Sequence, residues 1–236
     1  MSSRRYTPSF PPPAPKKKAP VEVKEGNALW RMKDWFPHMS TSVYDKMQLY
    51  HSELLKFNIK VNLVSRNTER DADEVHFADC VMATELILKK NPPKVIFDIG
   101  SGNGLPGLLM AIMDPTRTYN LVDSDTRKAE FLKHAIHILG LKNSHVLNVR
   151  LDSLIGQDIE CGVSRGFATI SKTILMCNRV FKMDAVLFHL KGSNWSSEIA
   201  GLPSQLISVW RPELVGEYSL PVSQARRAIV STHKIA

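Results

Sequence analysis

The chain has 236 residues, 43% of them hydrophobic, enough for one sheet with its covering helices and too few for two ordinary domains. Its three cysteines, Cys80, Cys161 and Cys177, form no C-x-x-C pair and no His/Cys spacing suited to zinc, and no apolar run reaches the roughly 18 residues that a membrane span requires. The formal net charge of +8 sits at the ends: residues 1–40 carry eight basic and three acidic side chains, residues 41–160 carry 14 and 16, and residues 161–236 carry nine and four.

A nearly neutral middle with basic ends suits a small-molecule site beside an anionic partner such as RNA, and it equally suits lysines that only face water. No metal is expected, the cysteines read as small buried apolar residues, and the expected setting is a reducing, cytoplasmic one without a membrane. Residues 1–38 hold seven of the fourteen prolines and the triple lysine 16–18. Such sequence buries too little surface to offset its ordering entropy, so a disordered arm is expected, touching RNA phosphates non-specifically. One domain is expected over 39–236, with a helical cap at 39–92 and a Rossmann-like core at 93–236.

Order is expected to begin near Ser42, where Ser42 and Asp45 make a capping box. Val43, Met47, Tyr50 and Leu54 follow at helical spacing, and a second helix is predicted over 73–90 with Val75, Ala78, Met82 and Leu86 on one face. From Val95 the pattern alternates, with strands predicted at 94–99, 118–123, 144–149, 160–165 and 184–190 and helices at 106–113, 126–139 and 168–180. Two more strands are expected within 205–234. The predicted architecture is α/β: a seven-stranded, mostly parallel sheet with helices on both faces and two extra N-terminal helices.

Between the first predicted strand and the next helix lies Asp98-Ile99-Gly100-Ser101-Gly102-Asn103-Gly104-Leu105-Pro106-Gly107. Glycines there let the chain turn sharply and a ligand approach its backbone. Two templates fit: Gly102, Gly104 and Gly107 satisfy the dinucleotide G-x-G-x-x-G, and Asp98 to Gly104 satisfy the D-x-G-x-G-x-G of methyltransferases. Asp123, at the end of the second strand, suits both ribose hydroxyls in either case. Asp98 favours S-adenosylmethionine, because a carboxylate there suits a cationic amino acid group and would repel a pyrophosphate. Pro106 favours it too, by removing an N–H that a pyrophosphate would use.

The chain resembles the glucose-inhibited division protein B family, the methyltransferases G of small-subunit ribosomal RNA, from about Tyr44 to its C-terminus. The marks are Phe57-Asn58-x-Lys60-x-Asn62-Leu63, His76-x-x-Asp79, the glycine loop, and Leu121-Val122-Asp123-Ser124 with Arg127-Lys128. Further on come Arg150-x-Asp152, Ser164-Arg165-x-Phe167, Leu190-Lys191-Gly192 and Arg227 with Ile229-Val230. Cys80, Glu160 and Gly166 stand where the family has Ser, Asp and Ala. The resemblance implies a class I methyltransferase acting from S-adenosylmethionine on N7 of a guanine in 16S ribosomal RNA, as free RNA or a small-subunit precursor, with a monomer expected.

Cofactor contacts are then expected at Asp98, Gly100, Gly102, Gly104, Leu105, Asp123, Ser124, Asp125, Leu151, Asp152 and Arg165. Arg165 and Lys191 are expected to position the reactants, with no general base, and Arg165, Lys191, Arg226 and Arg227 to meet RNA. Phe167 suits either stacking on an extruded base or the core at a helix start, and His76 with Asp79 either a cover on the cofactor or a staple between helices. Segment 194–220 matches the family poorly. The competing readings are a methyltransferase on another RNA, a protein or a small molecule, a non-catalytic RNA-binding relative, and a nicotinamide-dependent oxidoreductase.

Overall fold

The structure is a computed structural model that describes residues 28–236. Most of the expected arm, 1–27, lies outside the described residues. The part from 28 to 38 departs from that expectation: it holds a short helix, α1 (Met32–Trp35), with Met32 and Phe36 buried. Trp30, Met32, Trp35 and Phe36 supply the apolar surface that the preceding sequence lacks. Arg31 ties the segment down through both carboxylate oxygens of Asp73, at 2.8 and 2.9 Å, and through Asp71.

Helix α2 (Thr41–Asn58) follows, and its cap is Ser40, whose Oγ accepts from Val43 N–H, two residues ahead of the expected box at Ser42. Ser40 has the extended backbone that a cap requires, whereas Ser42 is already inside the helix. Asn58 at the helix end organises the next loop: its side chain accepts from Leu63 and Val64 N–H and donates to the Val64 carbonyl and Glu69. A π-helical turn, Asp73–Ala78, then runs directly into α3 (Asp79–Lys89).

The strands are β1 (Val95–Ile99), β2 (Thr118–Val122), β3 (Ser144–Leu147), β4 (Ile159–Arg165), β5 (Phe181–Gly192), β6 (Trp210–Ser219) and β7 (Arg226–Lys234). Between them come α4 (Gly107–Met113), α5 (Thr126–Leu139), α6 (Ile170–Cys177), α7 (Trp195–Ala200) and α8 (Ser204–Ile207). The seven-stranded sheet has the order β3-β2-β1-β4-β5-β7-β6. Strands β1 to β5 are parallel, and β7 runs against both β5 and β6. This is the α/β architecture with a seven-stranded, mostly parallel sheet expected from the alternation; α7 and α8 are additions in a segment for which no helix was expected.

Helices α2 to α5 cover one face over a core that includes Tyr50, Phe77, Leu108 and Phe131. Helices α6, α7 and α8 cover the other face over Ile174, Phe181, Leu187 and Trp210. The strand order reverses between β1 and β4, so the crevice that such a sheet offers a ligand opens at the carboxyl ends of β1, β2 and β4. Among the described residues no helix is long and apolar enough to cross a membrane.

Candidate functional site

A cavity of about 540 Å³ opens at that reversal, within the range of about 300–1,000 Å³ usual for small-molecule sites. Of the residues expected at the cofactor, Gly100, Gly102, Asp123, Ser124, Leu151 and Asp152 line it. Phe167, Lys128, Val149, Arg150, Gly166 and Met176 complete much of the wall. Phe167 thus faces the cavity while packing on the core beneath it. Gly100 has a positive φ of 71°, and a Cβ there would stand 2.4 Å from the Phe167 ring, so nothing larger fits without moving the wall.

The loop's own hydrogen bonds separate the two glycine templates. Gly100 and Ser101 N–H both donate to the Val122 carbonyl, Gly102 N–H to Asp123 Oδ2 at 2.8 Å, and Gly104 N–H to the Ser101 carbonyl. Leu105 N–H donates to Asn103 Oδ1 and Gly107 N–H to Asp98 Oδ2 at 3.0 Å, while Pro106 has none to give. A pyrophosphate is bound by N–H groups that point outward at a helix start. Here those donors are turned inward onto the protein, which disfavours an anion and leaves the glycine surfaces for a neutral or cationic ligand.

Several expected site residues sit elsewhere. Asp98 does not line the cavity: it is 1% exposed beneath the loop, one oxygen holding Gly107 N–H and the other, Oδ1, buried without a partner. Burial raises its pKa to about 7. Gly104 and Leu105 are buried against the helical cap, where Tyr50 donates to the neighbouring Asn103 carbonyl. Asp125 caps α5, accepting from Arg127 and Lys128 N–H. Lys191 donates to the Ala168 carbonyl at 2.8 Å and pairs with Glu198 at 2.9 Å, which in turn accepts from Ile170 N–H. Its ammonium therefore holds the 166–170 loop in place. Burial pushes the thiols of Cys80, Cys161 and Cys177 up to about 12, which leaves no thiolate nucleophile there.

At the end of β4, Arg165 reaches away from the cavity wall toward the helical cap. Its guanidinium donates to the Leu105 carbonyl at 3.4 Å and to His76 Nδ1, and pairs with Asp79 Oδ2 at 3.3 Å. Arg227 meets the other Asp79 oxygen at 3.5 Å, whereas Arg226 is exposed on the same strand end. His76 and Asp79 therefore meet through Arg165, a third arrangement beside the cover and the staple. Burial and Arg165 push the His76 pKa down to about 3, so the ring is neutral, accepts at Nδ1 and donates from Nε2 to Thr68 Oγ1. Tyr50 and Arg150 entered the sequence reading only as a position on a helical stripe and as part of a family mark with Asp152, its partner in the structure, and Tyr218 did not enter it at all.

Three histidines are held uncharged: the half-buried His76 near 3, with burial pushing His51 down to about 4 and His189 down to about 3. In the unfolded chain each takes up a proton near pH 6.5, so below that pH the unfolded state binds more protons and stability falls as pH falls. Asp98 acts oppositely between its unfolded value near 3.8 and about 7, offsetting one histidine. The melting temperature is expected to be nearly flat above pH 7 and to drop between pH 6.5 and 4.5, where the two uncompensated histidines make stability fall by about 2–3 kcal/mol per pH unit. Calorimetric melting across that range checks it, and a chain that grows more stable on acidification would contradict the neutral state of these rings.

The family model described as rRNA small subunit methyltransferase G matches residues 43–215. The chain is 43% identical over 208 residues to ribosomal RNA small subunit methyltransferase G 3 of Bdellovibrio bacteriovorus, covering 88% of this chain and 94% of that one. It is 33% identical over 178 residues to ribosomal RNA small subunit methyltransferase G of Vibrio campbellii, covering 72% and 82%. Among solved structures it is similar to a variant of MtNAS, with a TM-score of 0.56 at 15% identity over 83% of this chain and 73% of that one, a likeness of fold.

Proposed function

The chain belongs to the rRNA small subunit methyltransferase G family, and from that premise we propose that it transfers the methyl group of S-adenosylmethionine to N7 of a guanine in 16S ribosomal RNA. The observation that carries the cofactor is the inward-turned glycine loop beside a cavity edged by Asp123 and Asp152. Asp123 spends one lone pair of each oxygen on Gly102 and Asp125 N–H, leaving the others for two ribose hydroxyls. Leu151 offers an apolar surface to the adenine, and the exposed Asp152 a polar edge. The narrow floor over Gly100, backed by Phe167, suits close approach by the amino acid part.

S-adenosylmethionine supplies an electrophilic methyl group. Guanine N7 carries an in-plane lone pair and no proton, so no general base is needed. The protein's task is to place the base in line and exclude water, effects able to lower a barrier by about 7–11 kcal/mol when the geometry is tight. Arg165 and Arg227 are suited to steady guanine O6 or a phosphate, and Arg226 to a further backbone phosphate. Lys191 acts through the 166–170 loop and Phe167, as its bonds to Ala168 and Glu198 support. The substrate is free RNA or a small-subunit precursor in the cytoplasm, and the protein acts as a monomer.

Borohydride reduction and aniline cleavage of ribosomal RNA from cells with and without the gene tests the target. Scission at one guanine of 16S RNA, lost with the gene and restored by it, is expected. Identical cleavage patterns in both strains would remove the N7 assignment.

A further inference from the structure

We propose that Asp79 is a positioning residue for methyl transfer: its carboxylate holds Arg165 and Arg227, from two separate strand ends, in one orientation, so that together they form a doubly basic cradle for an oxygen of the target nucleotide. The proposal rests on the reading of Arg165 as a nucleotide-facing group.

Asp79 opens α3, is 4% exposed, and stands over the sheet where β4 and β7 finish and start. Arg165 lies opposite Leu190 of β5, and Lys191 of β5 lies opposite Ala228 of β7, so β5 separates the two arginines. Asp79 spans that separation, one oxygen for each: Oδ2 to Arg165 at 3.3 Å and Oδ1 to Arg227 at 3.5 Å. Tyr218, opposite Arg227 on β6, shares its one O–H between Asp79 Oδ1 at 2.9 Å and the Asp79 backbone carbonyl at 3.1 Å, which fixes the carboxylate's rotamer. The neutral His76 accepts from Arg165 and adds no charge. Two guanidinium groups against one carboxylate leave a single positive charge in a water-poor site, and a low dielectric makes that charge a strong attractor for an oxygen anion or carbonyl dipole.

The rival is a staple that only joins α3 to β4, β6 and β7. A staple changes stability, and its loss multiplies with the loss of a separate catalytic contact; a residue acting through Arg165 gives losses that do not multiply. The test measures kcat, the RNA KM, the cofactor dissociation constant and the melting temperature of Asp79→Asn, Arg165→Ala and the pair. Expected is a fall in kcat of about tenfold or more for Asp79→Asn, with cofactor affinity within about threefold, and a double variant that falls well short of the product of the two single losses, any loss beyond Arg165→Ala alone being the share carried by Arg227. Multiplied losses, or unchanged kcat in Asp79→Asn beside a slow Arg165→Ala, would overturn the proposal. Unchanged kcat in Arg165→Ala itself removes the reading on which the proposal stands, and the proposal with it. Should Asp79→Asn fold poorly, Tyr218→Phe removes only the bonds that orient the carboxylate. A lower kcat at an unchanged melting temperature then supports positioning, and wild-type kcat contradicts it.

Discussion

Arg165→Ala is expected to lower turnover about 100-fold while leaving the S-adenosylmethionine dissociation constant within about threefold. The asymmetry follows from placement. Arg165 does not line the cavity wall; it leaves β4 toward the helical cap, touching Leu105, His76 and Asp79. Its removal takes a cation from the nucleotide side and leaves the cofactor's cradle standing. Asp79 keeps Arg227 and Tyr218, so the buried carboxylate is not stranded and the fold should survive. Arg165→Lys is expected to recover little, because a compact ammonium lacks the planar, forked donors by which the guanidinium reaches the Leu105 carbonyl, His76 and Asp79 together. Steady-state kinetics on 16S RNA with calorimetric cofactor binding reads both quantities; a variant that loses affinity and keeps its turnover would invert the assigned role.

Asp123→Ala is expected to do the opposite, raising the cofactor dissociation constant about 100-fold with a much smaller change in turnover at saturation. Two effects combine. Ribose hydroxyls lose a charged acceptor, each such bond contributing about 1.5–3 kcal/mol. Gly102 and Asp125 N–H also lose their partner, which loosens the loop that forms the cavity's floor. Asp123→Asn retains one acceptor oxygen and should fall between the two. Equal affinities for wild type and Asp123→Ala would dissociate this carboxylate from the cofactor altogether.

The elements legible in the sequence were those with a local cause. Strand and helix alternation from Val95, the glycines of the β1–α4 loop and Asp123 at the end of β2 follow from periodicity and backbone geometry, which a linear string retains. What escaped depended on neighbours far along the chain. Asp98 reads as a ligand group at a strand end, but Gly107 draws one oxygen under the loop. Asp125 reads as part of the cofactor wall, but α5 needs a cap there. Lys191 reads as a free cation until Glu198, on a helix with no sequence signal, is placed beside it. Tyr218 sits in the stretch that matched the family poorly, and its link to Asp79, 139 residues away, has no local signature.

The central claim is that the crevice at the carboxyl ends of β1, β2 and β4 holds S-adenosylmethionine. Titration of the protein with that cofactor and, separately, with NAD in a calorimeter tests it most directly. One-to-one binding of the methyl donor, weakened by Asp123→Ala, and no heat from NAD is the result the account predicts; saturable NAD binding with none for S-adenosylmethionine would contradict it.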